Sequence, residues 1–188
     1  LRSGADPRAL DKEFGNNAFL AAILGGHINT AAALYQSVNI QHANNAGDTA
    51  LLLLLRHRES FNSLSKQLDY QRMTRQLIKD SPNLNYTNKS GWTPLMQAIH
   101  SNDSLLVNEL LAAGADVNQN SAIGSALSVA LDKGNKATIQ LLLERQINVN
   151  LSDADDTTPL MIAAGKGYAD ITATLIKQGA TLNARSLR

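Results

Sequence analysis

The sequence predicts an all-α fold in which short helix-turn-helix units stack into a solenoid. Three observations predict it. The stretch from Gly91 to Asn118 carries the start and stop signals of a complete helix pair, and similar stretches follow at successive spacings of 32 and 33 residues. Hydrophobic residues make up 44% of the chain, but aromatic residues only 4%. This composition suits a core of Leu, Ile and Ala in which each unit packs only on its neighbours.

The first helix of this pair has clear start signals. Gly91 tolerates the positive φ of a turn, Thr93 is placed to act as the N-cap, and Pro94 takes the first helical position, where its missing N–H costs nothing. We therefore expect a helix from Pro94 to about His100. The apolar side chains expected on one of its sides are Leu95, Ala98 and Ile99.

A second short helix is expected to follow the turn at residues 101–104. Gly114 is placed to end it as a left-handed C-cap, and residues 115–118 are expected to leave in extended form. Two helices of this length are not stable alone, because nucleation is costly and each buries only one stripe. The apolar side chains of this second helix recur at helical spacing and are Leu106, Val107, Leu110 and Leu111.

Internal repeats supply the neighbours that this helix pair needs. The tripeptide that begins at Thr93 recurs at Thr158, and weaker copies begin at Ser125, Thr49 and Asn17. The residues from Gly114 onwards recur in the same way near the end of the chain, where Gly-Ala-Thr-Leu-Asn repeats Gly-Ala-Asp-Val-Asn. Self-similarity at this period is typical of repeat proteins.

The pattern closely resembles the ankyrin repeat, whose hallmarks are GxTPLHxAAxxGH and LLxxGADVN. The third copy reads GWTPLMQAIH and LLAAGADVN at these places. The resemblance covers nearly the whole chain and implies short β-hairpin fingers between the helix pairs. One ankyrin-repeat domain is expected over residues 1–188, with a partial repeat at 1–14 and repeats at about 15–46, 47–90, 91–122, 123–155 and 156–188.

The His that follows TPL in the family is absent from every copy of this chain. The usual His–Thr hydrogen bond of the family is therefore expected to be missing, with more apolar packing in its place. The residues at this position are Leu20, Leu52, Met96, Ser128 and Met161.

The second copy is longer than the others, because 44 residues separate Thr49 from Thr93. The additional residues fall near Arg58–Leu68, and Phe61, Leu64 and Leu68 have the spacing of one helical stripe, so the insert is expected to lengthen a helix. Its surroundings are basic. These basic residues could form a docking patch for an anionic partner. Acidic residues interrupt them, however, which favours a solvated helix face. The charged residues are Arg56, Arg58, Lys66, Arg72, Arg75 and Lys79 against Glu59, Asp69 and Asp80.

Several function classes find no support in the composition. The net charge of +1 gives no argument for nucleic acid, and the longest apolar run, Ala50–Leu55, is too short to span a bilayer. The lack of cysteine excludes thiolate chemistry. An EF-type calcium loop starting at Asp153 would need a Glu where Ala164 stands. We expect no catalytic residue, cofactor or metal site.

The two ends of the chain carry different sequence features. Leu1–Pro7 resembles the close of a helix followed by a Gly-Ala-Asp exit, so we expect the chain to start inside a repeat, with an upstream signal, anchor or domain removed. Both cytoplasm and periplasm therefore stay open. Arg185–Arg188 is expected to fray.

By resemblance, such arrays bind partner proteins with the face of the inner helices and with the hairpin tips. The inner-helix candidates are Leu53, Arg56, His57, Gln97, His100, Ser101, Val129, Asp132, Lys133, Ile162 and Lys166. The fingertip candidates are Asn45, Asp48, Lys89, Ser90, Trp92, Asn120, Asp153 and Asp155.

Trp92, the only tryptophan, has two interpretations. It either covers the adjacent hairpin or anchors a partner, with Lys89 and His100 as its expected companions. The divergent, Asn-rich and Cys-free repeats favour a bacterial protein, and bacterial ankyrin proteins include immunity lipoproteins. Three roles follow: an inhibitor or immunity-type binder of a cognate toxin or enzyme, the targeting arm of a secreted effector, and the binding domain of a larger enzyme.

Overall fold

The structure, a computed structural model, describes residues 6, 8–61, 63–81 and 83–187. The chain divides into two compact units, one that runs to Lys89 and one that starts at Ser90. We call them unit 1 and unit 2. The described part of unit 1 contains α1 (Ala18–Leu24), α2 (Ile28–Leu34), α3 (Ala50–Arg56) and α4 (Leu64–Asp80), with 3-10 turns at Tyr35–Ser37 and Arg58–Ser60.

Unit 2 continues the same alternation of short helices. Its elements are α5 (Pro94–His100), α6 (Ser104–Ala112), β1 (Asn120–Ser121), β2 (Gly124–Ser125), α7 (Ala126–Lys133), α8 (Lys136–Leu143), α9 (Pro159–Gly165) and α10 (Ala169–Lys177). The bounds predicted for α5 are confirmed. The predicted single domain over residues 1–188, with its repeat bounds, stays a prediction.

The first helix of every pair starts for the same local reason. A side chain at the N-cap accepts a hydrogen bond from the backbone N–H three residues further on, at 2.9–3.5 Å, and so satisfies a donor that the helix itself leaves open. Pro stands at the first helical position of α5 and α9. The five N-cap residues are Asn17, Thr49, Thr93, Ser125 and Thr158.

The missing family His is replaced in two different ways. Leu20, Leu52 and Met96 are buried, as expected for apolar packing. Ser128 instead lies with its hydroxyl 3.4 Å from that of the N-cap Ser125, and the Met161 sulfur accepts the backbone N–H of the N-cap of α9 at 3.5 Å. The expectation of more apolar packing is therefore wrong for Ser128, while Met161 adds a hydrogen bond to the N-cap.

Each unit has its core between first helices and the second helices behind them. In unit 1, α3 packs between α1 and α4, and every residue of Ala50–Leu55 is buried. In unit 2, α7 packs between α5 and α9, with α6, α8 and α10 behind their own first helices. No helix in the described part of the chain is both long enough and apolar enough to cross a membrane.

Among the described residues only one finger forms a β-ladder, in which Asn120 pairs with Ser125 and Ser121 with Gly124. Two other fingers are closed by side chains. Asn44 accepts the backbone N–H groups of two later finger residues, and Asp153 does the same. Such Asx geometry mimics a backbone turn. Neighbouring fingers within a unit are hydrogen-bonded, as from the N–H of Ala154 to the carbonyl of Ala122 at 2.9 Å.

Asparagines after the second helices connect successive repeats of unit 2. The Asn118 side chain donates to the Gln146 carbonyl at 3.0 Å and accepts from the Asn148 N–H at 2.7 Å. Asn150 makes the corresponding pair of bonds to the next exit. Residues 117–118 form a turn, closed by a bond from the Asn118 N–H to the Asp116 carboxylate, so the predicted extended exit is wrong there.

The insert of the second copy lengthens a helix, as predicted. α4 has 17 residues, whereas the other helices of the described chain have seven to nine. The predicted stripe is wrong. Phe61 precedes the helix, is buried, and stacks on Tyr70 with ring centroids 5.2 Å apart. Leu64 and Leu68 are 75% and 55% exposed.

The two chain ends differ from each other in what the structure describes. Leu1–Pro7, apart from residue 6, lies outside the described residues, and so does residue 188. Residues 186 and 187 are held by the last finger, because the Leu187 N–H and the Ser186 hydroxyl both donate to the Asp155 carbonyl, at 2.8 and 2.9 Å. The expected fraying of the described tail is therefore wrong.

Candidate functional site

Five predicted residues come together on the inner-helix side of unit 2. The packing order α5, α7, α9 brings the C-terminal ends of these helices side by side, and the residues there are polar and exposed. Trp92 precedes α5 and lies beside its last residue. We call this surface the inner-helix patch; it consists of Trp92, His100, Asp132, Lys133 and Lys166.

An aromatic pair forms the centre of the patch. The half-buried indole of Trp92 meets the His100 imidazole edge-on, with ring centroids 5.0 Å apart and an interplanar angle of 76°. Burial lowers the pKa of His100, nearby Lys133 lowers it further, and Asp132 opposes them. The neutral imidazole is thereby favoured, so the centre of the patch is aromatic and uncharged near neutral pH. Trp92 and His100 therefore lie in contact, and their joint role in binding a partner stays a prediction.

Charged side chains surround this centre. The Lys166 ammonium lies 3.0 Å from the Asp132 carboxylate and donates to the Asp132 carbonyl at 2.6 Å, which connects α9 to α7. Exposed pairs of this kind contribute little to stability. Among the described residues no carboxylate pairs with Lys133. The patch therefore offers one cation without a carboxylate partner beside an aromatic pair.

Three predicted inner-helix residues are not available at the surface. Leu53, Gln97 and Val129 stand at equivalent positions of α3, α5 and α7 and are buried. Because these side chains are covered in the fold, the prediction that they contact a partner is corrected. Ile162 is at the same position of α9 and is half-buried, because no further first helix packs on α9 within the described chain.

Asp48 and Arg56, predicted as a fingertip and an inner-helix contact, bind each other. Both terminal guanidinium nitrogens of Arg56 donate to the Asp48 carboxylate, at 2.7 and 3.0 Å, and the Asn88 amide donates to it at 2.6 Å. Asp48 is 1% exposed, so it is a structural residue and the prediction is corrected. Arg56 is exposed and His57, the C-cap of α3, is half-buried.

The remaining fingertip candidates stay accessible to different degrees. Asn45, Lys89, Ser90 and Asn120 are exposed. Asp153 and Asp155 are half-buried, as is Ser101 at the end of α5. The Asp153 carboxylate is occupied by two backbone N–H groups of its own finger. Lys89 belongs to unit 1, where its N–H donates to the Ala46 carbonyl at 3.1 Å.

One fingertip aromatic was missed by the sequence interpretation. Phe14 is 56% exposed, and its carbonyl accepts the Asn45 N–H at 2.7 Å. Residues 11–16 form a finger in which the Asp11 carboxylate accepts three backbone N–H groups, led by that of Phe14, and this lowers the pKa of Asp11. The signal was an Asx residue followed by Gly15 at positive φ, as in the finger that ends with Gly47.

The described residues contain no group of three or more His, Asp or Glu side chains that could hold a metal ion. The arrangement on the inner-helix side offers instead an aromatic surface with charged and polar neighbours. Such a surface can contact another macromolecule through apolar area, hydrogen bonds and a cation.

Comparison with known proteins places this geometry in a family. The family model for ankyrin repeats (three copies) matches residues 101–186. A solved ankyrin repeat domain from Acinetobacter baumannii AYE is 30% identical, with a TM-score of 0.70, over 94% of this chain and 88% of that one.

Two curated relatives are much longer than this chain. An ankyrin repeat protein of fowlpox virus (strain NVSL) is 32% identical over 133 residues, which are 68% of this chain and 39% of that protein. The p105 subunit of nuclear factor NF-kappa-B from Mus musculus is 35% identical over 136 residues, which are 69% of this chain and 14% of that protein. Ankyrin repeats generally mediate protein–protein interaction. The predicted fold class is confirmed, and the chain belongs to the ankyrin-repeat family.

Proposed function

We propose that this chain is a non-catalytic module that binds a partner protein through the inner-helix patch, assisted by the exposed fingertips of the same unit. The observation that carries the proposal is the half-buried Trp92 held edge-on against His100 beside Lys133. A tryptophan held in this way presents a large area at low entropic cost and is enriched among the residues that dominate binding energy.

The chemistry of the patch describes the partner surface. An aromatic or aliphatic side chain fits the Trp92–His100 centre, and a carboxylate fits Lys133. The exposed pair of Asp132 and Lys166 can exchange its partners with polar groups at the rim, because such pairs have little stability to lose. The proposed partner segment therefore combines an apolar side chain with an acidic neighbour.

For the biological role we propose an inhibitor or immunity-type protein that neutralises a cognate toxin or enzyme of a bacterium. The likeness to a bacterial ankyrin repeat domain supports a bacterial origin. Two other roles follow from the same binding surface: the targeting arm of a secreted effector that acts on a host protein, and the binding domain of a larger enzyme. The long relatives support the last role, because the chain spans 39% or less of their length.

Affinity capture followed by mass spectrometry tests the binding proposal. The chain, its Trp92→Ala variant and a Tyr86→Ala control are immobilised in parallel, since Tyr86 is a half-buried aromatic outside the patch. With the captured partner, Trp92→Ala should weaken binding by about 2 kcal/mol, about thirtyfold, while the control binds normally. Partner addition should also change the intrinsic fluorescence, because Trp92 is the only tryptophan.

The outcomes separate the alternatives. A Trp92→Ala variant that binds normally but melts markedly earlier would show that Trp92 only covers its hairpin. A captured toxin or enzyme whose activity falls on addition of the chain supports the inhibitor role. Capture of a host protein without inhibition supports the targeting arm instead, and a partner encoded in the same polypeptide supports the larger enzyme.

A further inference from the structure

The outward face of α4 carries an ordered line of exposed side chains. At 3.6 residues per turn, positions 64, 68, 72, 75 and 79 fall within an arc of about 80°, opposite the buried Tyr70, Met73 and Leu77. The arc has two leucines in its first two turns and three cations in the turns that follow. We call it the α4 stripe; it consists of Leu64, Leu68, Arg72, Arg75 and Lys79.

The acidic residues of α4 do not interrupt this stripe, because they lie on the flank that faces α2. Asp80 accepts the Tyr35 hydroxyl at 2.8 Å and the Gln76 amide at 2.6 Å. Asp69 lines a cavity of about 340 Å³ between α2 and α4, and its carboxylate is 3.8 Å from the Arg72 guanidinium. The last three members of the stripe are all cations, and Arg72 is the one that also borders the cavity and the Asp69 carboxylate.

The leucines of the stripe are exposed without a packing role. Leu64 and Leu68 are 75% and 55% exposed, and the Arg72 side chain is 81% exposed. Single exposed leucines are ordinary in folded proteins and need no explanation. Here two of them are one helical turn apart and continue directly into three cations on the same line, an order that the core does not require.

We propose that the α4 stripe is a second docking surface, which takes an acidic amphipathic segment of a partner protein. Its carboxylates would pair with Arg72, Arg75 and Lys79, and its apolar side chains would cover Leu64 and Leu68. From residue 64 to residue 79 the stripe is about 22 Å long, enough for a helix of four turns. Arginine favours such sites because its planar guanidinium binds carboxylates through two hydrogen bonds.

Other anionic partners fit the stripe less well. A membrane surface requires a broad apolar face flanked by cations, whereas this apolar part is two leucines on a narrow arc. Nucleic acid is held by cations on its phosphates, which leaves the exposed leucine pair unused. The stripe lies in unit 1 and shares no residue with the inner-helix patch, so it is independent of the proposed function.

A designed peptide tests the inference. A fluorescein-labelled amphipathic helix of about 16 residues carries two Leu and three Glu in the antiparallel order, and its counterpart has Lys in place of Glu. Fluorescence anisotropy with the full chain should give a Kd below about 1 mM for the acidic peptide and binding at least about tenfold weaker for the basic one. Raising the salt concentration should weaken binding of the acidic peptide.

Matched variants locate the binding. Reversal of all three stripe cations to Glu should abolish binding of the acidic peptide, and Leu64→Ser with Leu68→Ser should weaken it. The control reverses three exposed cations of unit 2, Lys136, Arg145 and Lys177, and should bind like the unaltered chain. Trp92→Ala should also bind normally. Thermal melts confirm folding, because surface substitutions shift stability little.

Three outcomes would overturn the inference. One is that the acidic peptide, like the basic one, shows no saturable binding to the chain with a Kd below about 1 mM. Another is an equal loss of acidic-peptide binding in the stripe variant and in the control variant, which would show general charge attraction. The third is binding to phosphatidylserine vesicles that depends on the stripe while the acidic peptide does not bind, which would assign the surface to membranes.

Discussion

The second helices of the two units differ in what their length does. In unit 2, α6 and α10 have nine residues and α8 has eight, which is enough to cover one first helix. In unit 1, α4 has 17 residues and buries only Tyr70, Met73, Thr74, Leu77 and Ile78, all within its last eleven residues. The first turns of α4 therefore add a solvent-facing surface rather than core.

This difference shows how a repeat array accommodates an insertion. The capping and apolar positions that stack one repeat on the next within a unit are kept, and the additional residues extend a helix into solvent. Loop and insert length alone costs little entropy when the stacked residues are undisturbed. One residue of the insert is an exception, because Phe61 folds back onto Tyr70 and joins the core.

The largest expected effect separates Phe61 from the leucines that follow it. Phe61→Ala should cost about 3–5 kcal/mol, because it removes a buried ring that stacks on Tyr70. Leu64→Ala combined with Leu68→Ala should change stability by less than about 1 kcal/mol in total. Urea titrations monitored by circular dichroism measure both. Equal losses would show that the whole insert belongs to the core.

The next effect tests whether buried leucines of the second helices contribute equally to stability in both units. Leu110→Ala in α6 and Leu77→Ala in α4 should each cost about 2–5 kcal/mol, since both side chains are essentially fully buried. Leu187→Ala should cost almost nothing, because this side chain is exposed although its backbone is held by the last finger. A much smaller loss for Leu77 than for Leu110 would indicate that α4 packs loosely.

A third effect compares carboxylates in fingers of the two units. Asp48→Ala should cost about 1–3 kcal/mol, because it leaves the buried Asn88 amide and part of the Arg56 guanidinium without their acceptor. Asp153→Ala removes an acceptor for two backbone N–H groups in a half-buried finger and should cost about 1 kcal/mol. Asp132→Ala, from an exposed ion pair, is the control. Equal melting temperatures for Asp48→Ala and Asp132→Ala would contradict the structural role of Asp48.

The sequence predicted those features whose causes lie within a few residues of each other. The bounds of α5 and the Thr93 cap follow from a Thr-Pro pair and the apolar residues after it. The burial of Gln97 could not be predicted in the same way, because it depends on which neighbouring helix covers that position. The Asp48–Arg56 bond could not be predicted either, because it depends on how the finger places Asp48 relative to the end of α3.

The surface of α4 escaped prediction for a related reason. The i, i+4 spacing of Leu64 and Leu68 indicates a helical stripe but does not say whether a neighbour covers it. Likewise, the alternation of acidic and basic residues in the sequence suggested a mixed face. In the helix Asp69 and Asp80 lie on the flank towards α2, where Arg72 also borders the cavity, whereas Arg75 and Lys79 do not line that cavity.

The smallest expected effect concerns the protonation of the inner-helix patch, which has no counterpart on α4. Burial lowers the pKa of His100 below its ordinary value of 6.5, and Lys133 lowers it further. In the unfolded chain the imidazole therefore binds its proton at a higher pH than in the folded chain. Above about pH 6.5 this group does not affect the free energy of unfolding. As the pH drops through about 6.5, the free energy of unfolding falls slightly.

An NMR titration of the His100 imidazole, assigned with His100→Gln, measures the shift of its pKa. Lys133→Ala should raise the pKa of His100 and Asp132→Asn should lower it, while Lys177→Ala, a charge change on α10, should leave it unchanged. A titration that responds to none of the three would show that desolvation alone sets the pKa, and one that responds equally to all would show only the overall charge of the unit.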